Sequence, residues 1–232
     1  MKFNIFLKWV PLFACIIIFF ITTKALHFNI NNCFLKKGFE WKEGFSGNKN
    51  NIVLIGDSML NNFNYVQTSI PELLKLKTQN VFNFAVDGST IADCYTQLDK
   101  IPNALNTINT YVFISAGGNN ILNARGQMDN AAINKLFTTY VTLIQSVKTK
   151  LPNVKINVLN LYLPTNPQYQ SYSTSIQLWN TLIQNRSEAF SVGIIDTNKL
   201  LTQSTDFIYD VEPSETGGAK IANAITLTFR KG

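Results

Sequence analysis

The chain has 232 residues, 46% hydrophobic and 15% charged, enough apolar material for one single-core domain with some length to spare. Its net charge of +6 is concentrated at the start: residues 1–50 hold seven lysines against two glutamates, leaving thirteen basic and twelve acidic residues in the rest. The nearly neutral remainder offers no phosphate-tracking face, which sets nucleic acid aside as a partner.

In chain order, Lys2 and Lys8 precede thirteen uncharged residues, Trp9 to Ile21. That length suits a signal-peptide core, and Thr23-Lys24-Ala25 would serve as a mediocre cleavage site. Counting from Phe3, with Lys8 snorkelling, about 21 residues could instead cross a bilayer as an uncleaved anchor, the reading favoured here. Residues 1–25 are thus expected to be a signal peptide or signal anchor and residues 26–49 a basic, aromatic stalk. The domain would lie outside the cytoplasm, tethered to the membrane, or secreted if the leader is cleaved. Cys33 and Cys94 are the only possible pair beyond that segment, with two buried free thiols the favoured alternative. Asn185-Arg186-Ser187 is a glycosylation sequon, usable only where exposed.

From residue 50 the pattern becomes regular. Ile52, Val53, Leu54 and Ile55 stop at Gly56-Asp57-Ser58, which reads as a buried strand emptying into a tight turn. Ser58 is the candidate nucleophile, against the plainer reading that Asp57 and Ser58 cap a helix. Further apolar runs at Val81–Phe84, Tyr111–Ile114, Ile156–Leu163 and Val192–Ile195 bring the strand candidates to five. Between them, Ile133, Leu136, Phe137, Tyr140, Val141, Ile144 and Val147 recur at helical spacing behind Asp129 as N-cap, with Pro152 just past the end. Ile176, Trp179, Ile183 and Phe190 give another helix, and Ile221, Ala224, Ile225 and Phe229 a last one. Regular strand–helix alternation predicts a parallel sheet covered on both faces.

Ligands of such sheets sit beyond the carboxyl ends of the strands. The second strand closes in Asp87-Gly88-Ser89-Thr90 and the third in Gly117-Gly118-Asn119-Asn120. Together with Ser58 these tips would make an oxyanion hole from the Ser58 N–H, the Gly88 N–H and the Asn119 amide, although each alone is also ordinary turn chemistry. Asp57, Gly118 and Tyr209 are the candidate substrate-binding residues. No cofactor is implied, and no histidine or cysteine cluster of ligand spacing implies a metal.

As an ordered set these fragments resemble the SGNH hydrolases, also called GDSL esterases. Gly56-Asp57-Ser58 is similar to that family's first block, Gly88 to its second and Gly117-Gly118-Asn119 to its third, with Asn120 where Asp is frequent. Val211 to Glu215, followed by Gly217 to Ala222, is similar to the last block and final helix. The α/β-hydrolase elbow fits less well, because Leu60 stands where its second glycine belongs. The resemblance covers residues 50–230. It implies a three-layer α/β/α sandwich on a five-stranded parallel sheet, flavodoxin-like in layout. Where complete, it implies hydrolysis of small esters or O-acylated glycans or lipids through an acyl-serine.

The last block departs from the pattern. The family has Asp, two residues, then His; here those positions are Tyr209 and Glu212, and the single histidine is His27. A carboxylate with an ordinary pKa of about 4.3 activates serine far less than an imidazole near 6.5, unless burial raises it. Loss of the base in a serine hydrolase can lower turnover by about a millionfold, the oxyanion hole retaining roughly a thousandfold over water. A weak hydrolase with Glu212 as base, Tyr209 being the candidate to hold it, and a catalytically silent binding protein both fit the sequence.

Overall fold

A computed structural model describes residues 50–78, 80–125 and 128–230. The leader, the stalk, His27 and Cys33 lie outside the described residues. Among those described, no helix is long and apolar enough to cross a membrane.

Five strands form one parallel sheet: β1 (Asn51–Gly56), β2 (Val81–Asn83), β3 (Thr110–Ser115), β4 (Lys155–Leu159) and β5 (Gly193–Ile195), in the order β2-β1-β3-β4-β5. The run Ile52–Ile55 is fully buried, as expected of a central strand covered on both faces. Chain order turns back at β1, with β2 on one side and β3 on the other. The crevice at that reversal is the usual ligand position.

The helices are α1 (Ile70–Lys75), α2 (Ile91–Asp99), α3 (Gly118–Asn123), α4 (Asn130–Lys150), α5 (Ser173–Arg186), α6 (Thr197–Leu200) and α7 (Glu215–Arg230). Right-handed crossovers put α2, α4 and α5 on one face, where they pack in sequence, and α1 with α7 on the other. Phe137, Tyr140 and Trp179 form the aromatic centre of the first layer, while Tyr111 of β3 meets Phe229 of α7 in the second. The three-layer sandwich expected from the sequence is therefore present.

Local chemistry sets the ends of the elements. Asp129 caps α4 by accepting the Ala132 N–H at 2.8 Å, and the helix stops just before Pro152. β4 is shorter than the apolar run 156–163. Past Leu159 the backbone leaves the ladder, and Leu161 exchanges hydrogen bonds with the Asn180 carboxamide instead (2.8 and 2.6 Å). α7 begins at Glu215, earlier than its apolar spacing suggests. A two-stranded hairpin, β6 (Phe207–Ile208) and β7 (Glu212–Pro213), precedes it. Cys94 is a buried free thiol. The sequon ends α5, where Asn185 is exposed but Ser187 is buried and its hydroxyl donates to the Gln184 carbonyl.

Candidate active site

Ser58 follows β1 directly at the sheet reversal, and its neighbours fix the turn. Gly56 has φ +139°, and a Cβ there would sit 2.0 Å from the Ser115 carbonyl oxygen, so only glycine allows β1 and β3 to close at this point. Asp57 Oδ1 accepts from the Met59 N–H (3.1 Å) and the Ser115 hydroxyl (2.5 Å). The Asp57 carbonyl accepts from Leu60 and Asn61 N–H. Asp57 thus closes a turn and does not cap a helix, since the next helix, α1, begins only at Ile70 behind Ser69, and Ser58 Oγ lies outside the turn's own hydrogen bonds. Burial pushes the Asp57 carboxyl up to about 7, against those two donors and with the Glu212 charge adding to the rise.

The second and third strand tips are laced to each other and to the first. Gln97 of α2, buried, accepts from Gly56 N–H at 2.7 Å and donates at 2.9 Å to both the Gly56 carbonyl and the Ser89 hydroxyl. Asn119 Nδ2 donates to the Ser89 carbonyl at 3.0 Å, and Asn120 Oδ1 accepts the Ile91 N–H at 3.0 Å. An amide nitrogen carries two hydrogens, so Asn119 keeps one to offer elsewhere. Gly88 is exposed with φ +74°, and among the described hydrogen bonds neither its N–H nor that of Ser58 is used.

The last block reaches the same place from the far side. Glu212 opens β7 and is held by two clamps. The Tyr162 hydroxyl donates to the Val211 carbonyl at 2.7 Å, and Asn62 Nδ2 donates to the Pro213 carbonyl at 3.1 Å while Asn62 Oδ1 accepts from Ile70 N–H. Burial raises the Glu212 pKa and the charge of Asp87 adds to it, while the nearby Ser58 hydroxyl pulls it down. No well-formed hydrogen bond joins the two side chains among the described residues, and Glu212 Oε2 is buried without a partner.

One cleft gathers Asp57, Ser58, Gly118, Asn119 and Glu212 with a mostly apolar wall. Gly88 and Tyr209 are not among its lining residues. Gly88 is tied to it through the Ser89–Asn119 bond. Tyr209 sits at the hairpin tip, 70% exposed and edge-on to Tyr65 at 5.9 Å. It does not hold Glu212, because Tyr209 and Asp210 both adopt positive φ (47° and 68°) to reverse the chain between β6 and β7. Sequence reasoning missed Gln97, Asn62 and Tyr162, which carry no motif and act through long-range hydrogen bonds. Among the described residues no three His, Cys, Asp or Glu side chains gather as a metal site.

Residues 54–219 match the model of the GDSL-like Lipase/Acylhydrolase family. The chain belongs to that family. No curated protein matches it in sequence. Among solved structures, this GDSL-family chain is similar in fold to a member of the lipolytic G-D-S-L family from Veillonella parvula (TM-score 0.64, 17% identity, 78% of this chain and 99% of that one). A lipase/acylhydrolase from Enterococcus faecalis follows (0.59, 17%, 78% and 96%), with an acetylxylan esterase from Geobacillus stearothermophilus (0.59, 19%, 79% and 95%). Membership in an acylhydrolase family supports esterase or hydrolase chemistry at a small ester for this GDSL-family chain.

Proposed function

We propose that this chain hydrolyses esters or O-acyl groups through an acyl-serine at Ser58, with Glu212 as the base. The observation that carries the reading is that Ser58, Asn119 and Glu212, from three distant stretches of sequence, line one cleft, and that Glu212 is there with a raised pKa and a buried, unpartnered Oε2. Glu212 accepts the Ser58 proton as Oγ bonds to the carbonyl carbon. The carbonyl electron pair moves onto oxygen, facing the Ser58 and Gly88 N–H groups and the second Asn119 N–H. Collapse breaks the bond to the alcohol oxygen, which takes the proton from Glu212, and water releases the acid by the same route. Proton transfer neutralises Glu212 as the oxyanion forms, so the reacting groups carry one full negative charge throughout. The raised pKa of Glu212 brings it closer to a working base, as required in place of histidine.

A second reading has one observation in its favour: with Tyr209 outside the cleft, no side chain among the described residues hydrogen-bonds the buried Glu212 Oε2, which fits a silent relative that binds an acylated glycan, lipid or partner. Rates on small acyl esters from pH 5 to 9 decide between them. Hydrolysis lost in Ser58→Ala supports the enzyme. A wild type without hydrolysis in which Glu212→His creates it supports the silent relative. We place the domain outside the cytoplasm, at a membrane or secreted, on the character of residues 1–25 alone.

A further inference from the structure

The cleft beside Ser58 is chemically lopsided. Beside Asp57, Ser58, Asn119, Glu212 and Tyr162, whose hydroxyl is taken up by the Val211 carbonyl, its walls are mostly apolar, with Met59, Ile121, Leu122, Leu161, Pro164 and Ile176. These walls are formed in advance. Ile121, Leu161 and Ile176 are no more than 6% exposed, and Leu161 is pinned at both N–H and carbonyl by Asn180. The cavity volume is about 50 Å³. A single water needs roughly 10–15 Å³ on such a measure, so the space takes only a few carbon-sized groups. Near Glu212 but outside that lining, the surroundings differ in kind. Tyr65 and Asn64 donate to the Asp87 carboxylate there, and the Asp87 charge is felt at Glu212.

Resting on the acyl-serine reading, we propose that the apolar cleft is the acyl pocket and that it takes a short acyl group, of two to four carbons, in preference to a long chain. The orientation follows from proton bookkeeping. The leaving oxygen must receive its proton from Glu212, so the alcohol faces the polar Tyr65–Asp87 side. The carbonyl oxygen faces Asn119, and the acyl carbon chain is left with the apolar wall. Within the pocket each buried methylene strengthens binding about fourfold, and beyond its end the gain stops and reclosing the rigid wall costs affinity.

Two length series separate the arms. On p-nitrophenyl esters from acetate to dodecanoate, kcat/KM should peak at two to four carbons and fall at least tenfold by octanoate. On alkyl acetates of growing alcohol length it should show no such cut-off. Ile176→Ala should raise the octanoate-to-acetate ratio about tenfold, a ratio insensitive to how much protein is folded. A peak at eight carbons or more, or a cut-off that follows the alcohol series, overturns the proposal. Failure of the enzyme reading is distinguished by binding. In Ser58→Ala, butyramide should shift the Ile121, Leu161 and Ile176 methyl resonances at concentrations where octanamide does not. With no ester turned over, that shift still upholds the pocket, and equal or absent shifts overturn it.

Discussion

Glu212 bears the largest share of the chemistry proposed for a single side chain. Its folded pKa is raised, so the carboxylate form needed to take the Ser58 proton is populated only as pH climbs past the ordinary carboxylate range. Activity should therefore rise with pH through an inflection displaced above the ordinary carboxylate value, and that inflection should vanish in Glu212→Gln; kcat/KM against pH checks this. Asn119→Ala removes one oxyanion donor and its bond to Ser89, and should lower kcat by about a hundredfold to a thousandfold with KM little changed, read from steady-state kinetics. Ser58, Asn119 and the Gly117–Gly118 turn were legible in the sequence because each closes an apolar run. Tyr209 as a partner for Glu212 was not, because a motif offset carries no information on the two positive-φ residues that turn it outward.

The strand tips act as elements through side chains that bridge them. Gln97 joins the turn before Ser58 to the turn after Gly88, with three hydrogen bonds of 2.7 to 2.9 Å, and Asn119 extends the same belt to the third tip. Gln97 is a positioning residue. Gln97→Leu leaves Gly56 and Ser89 groups buried and unpaired, a loss of about 1–3 kcal/mol in stability by denaturant titration. It should also lower kcat at unchanged KM, and Gln97→Glu, which keeps the acceptor, should recover part of the rate. Asn62 and Tyr162 clamp the hairpin on either side of Glu212 in the same way. The five strands could be read from apolar runs, and α4 from its spacing and cap. The hairpin could not, since two-residue strands have no period to detect. The early end of β4 was hidden because Leu161 and Tyr162 continue the apolar run for the cleft wall rather than for the ladder.

For the molecule as a whole, two kinds of carboxyl set opposite pH limits. Asp206 is fully buried. Burial pushes its pKa up, but the Lys220 ammonium at 2.7 Å and the Gln203 and Thr202 N–H groups outweigh it and hold it below the ordinary value. Its contribution is present above the unfolded pKa and lost as pH falls through the lowered folded one, so the tie between residue 206 and α7 weakens in acid. Lys220→Met should cost about 2 kcal/mol at neutral pH, measured by thermal melts. Asp57 runs the other way. With its pKa raised from 3.8 to about 7, its contribution is fully present below the unfolded value and is lost as pH climbs from there through 7. Asp57→Asn keeps the acceptor for Ser115 and Met59, so it should raise Tm relative to the wild type most at pH 9, less at pH 5 and not at pH 3.

The claim beneath all of this is that Ser58 is a nucleophile deprotonated by Glu212. A fluorophosphonate probe mapped by peptide mass spectrometry tests it without any choice of substrate. A label is expected on Ser58 alone, formed faster as pH rises from 4 to 8, and slowed at least a hundredfold in Glu212→Gln. A label that forms as fast in Glu212→Gln as in the wild type, or no label on Ser58 at any pH, would contradict it.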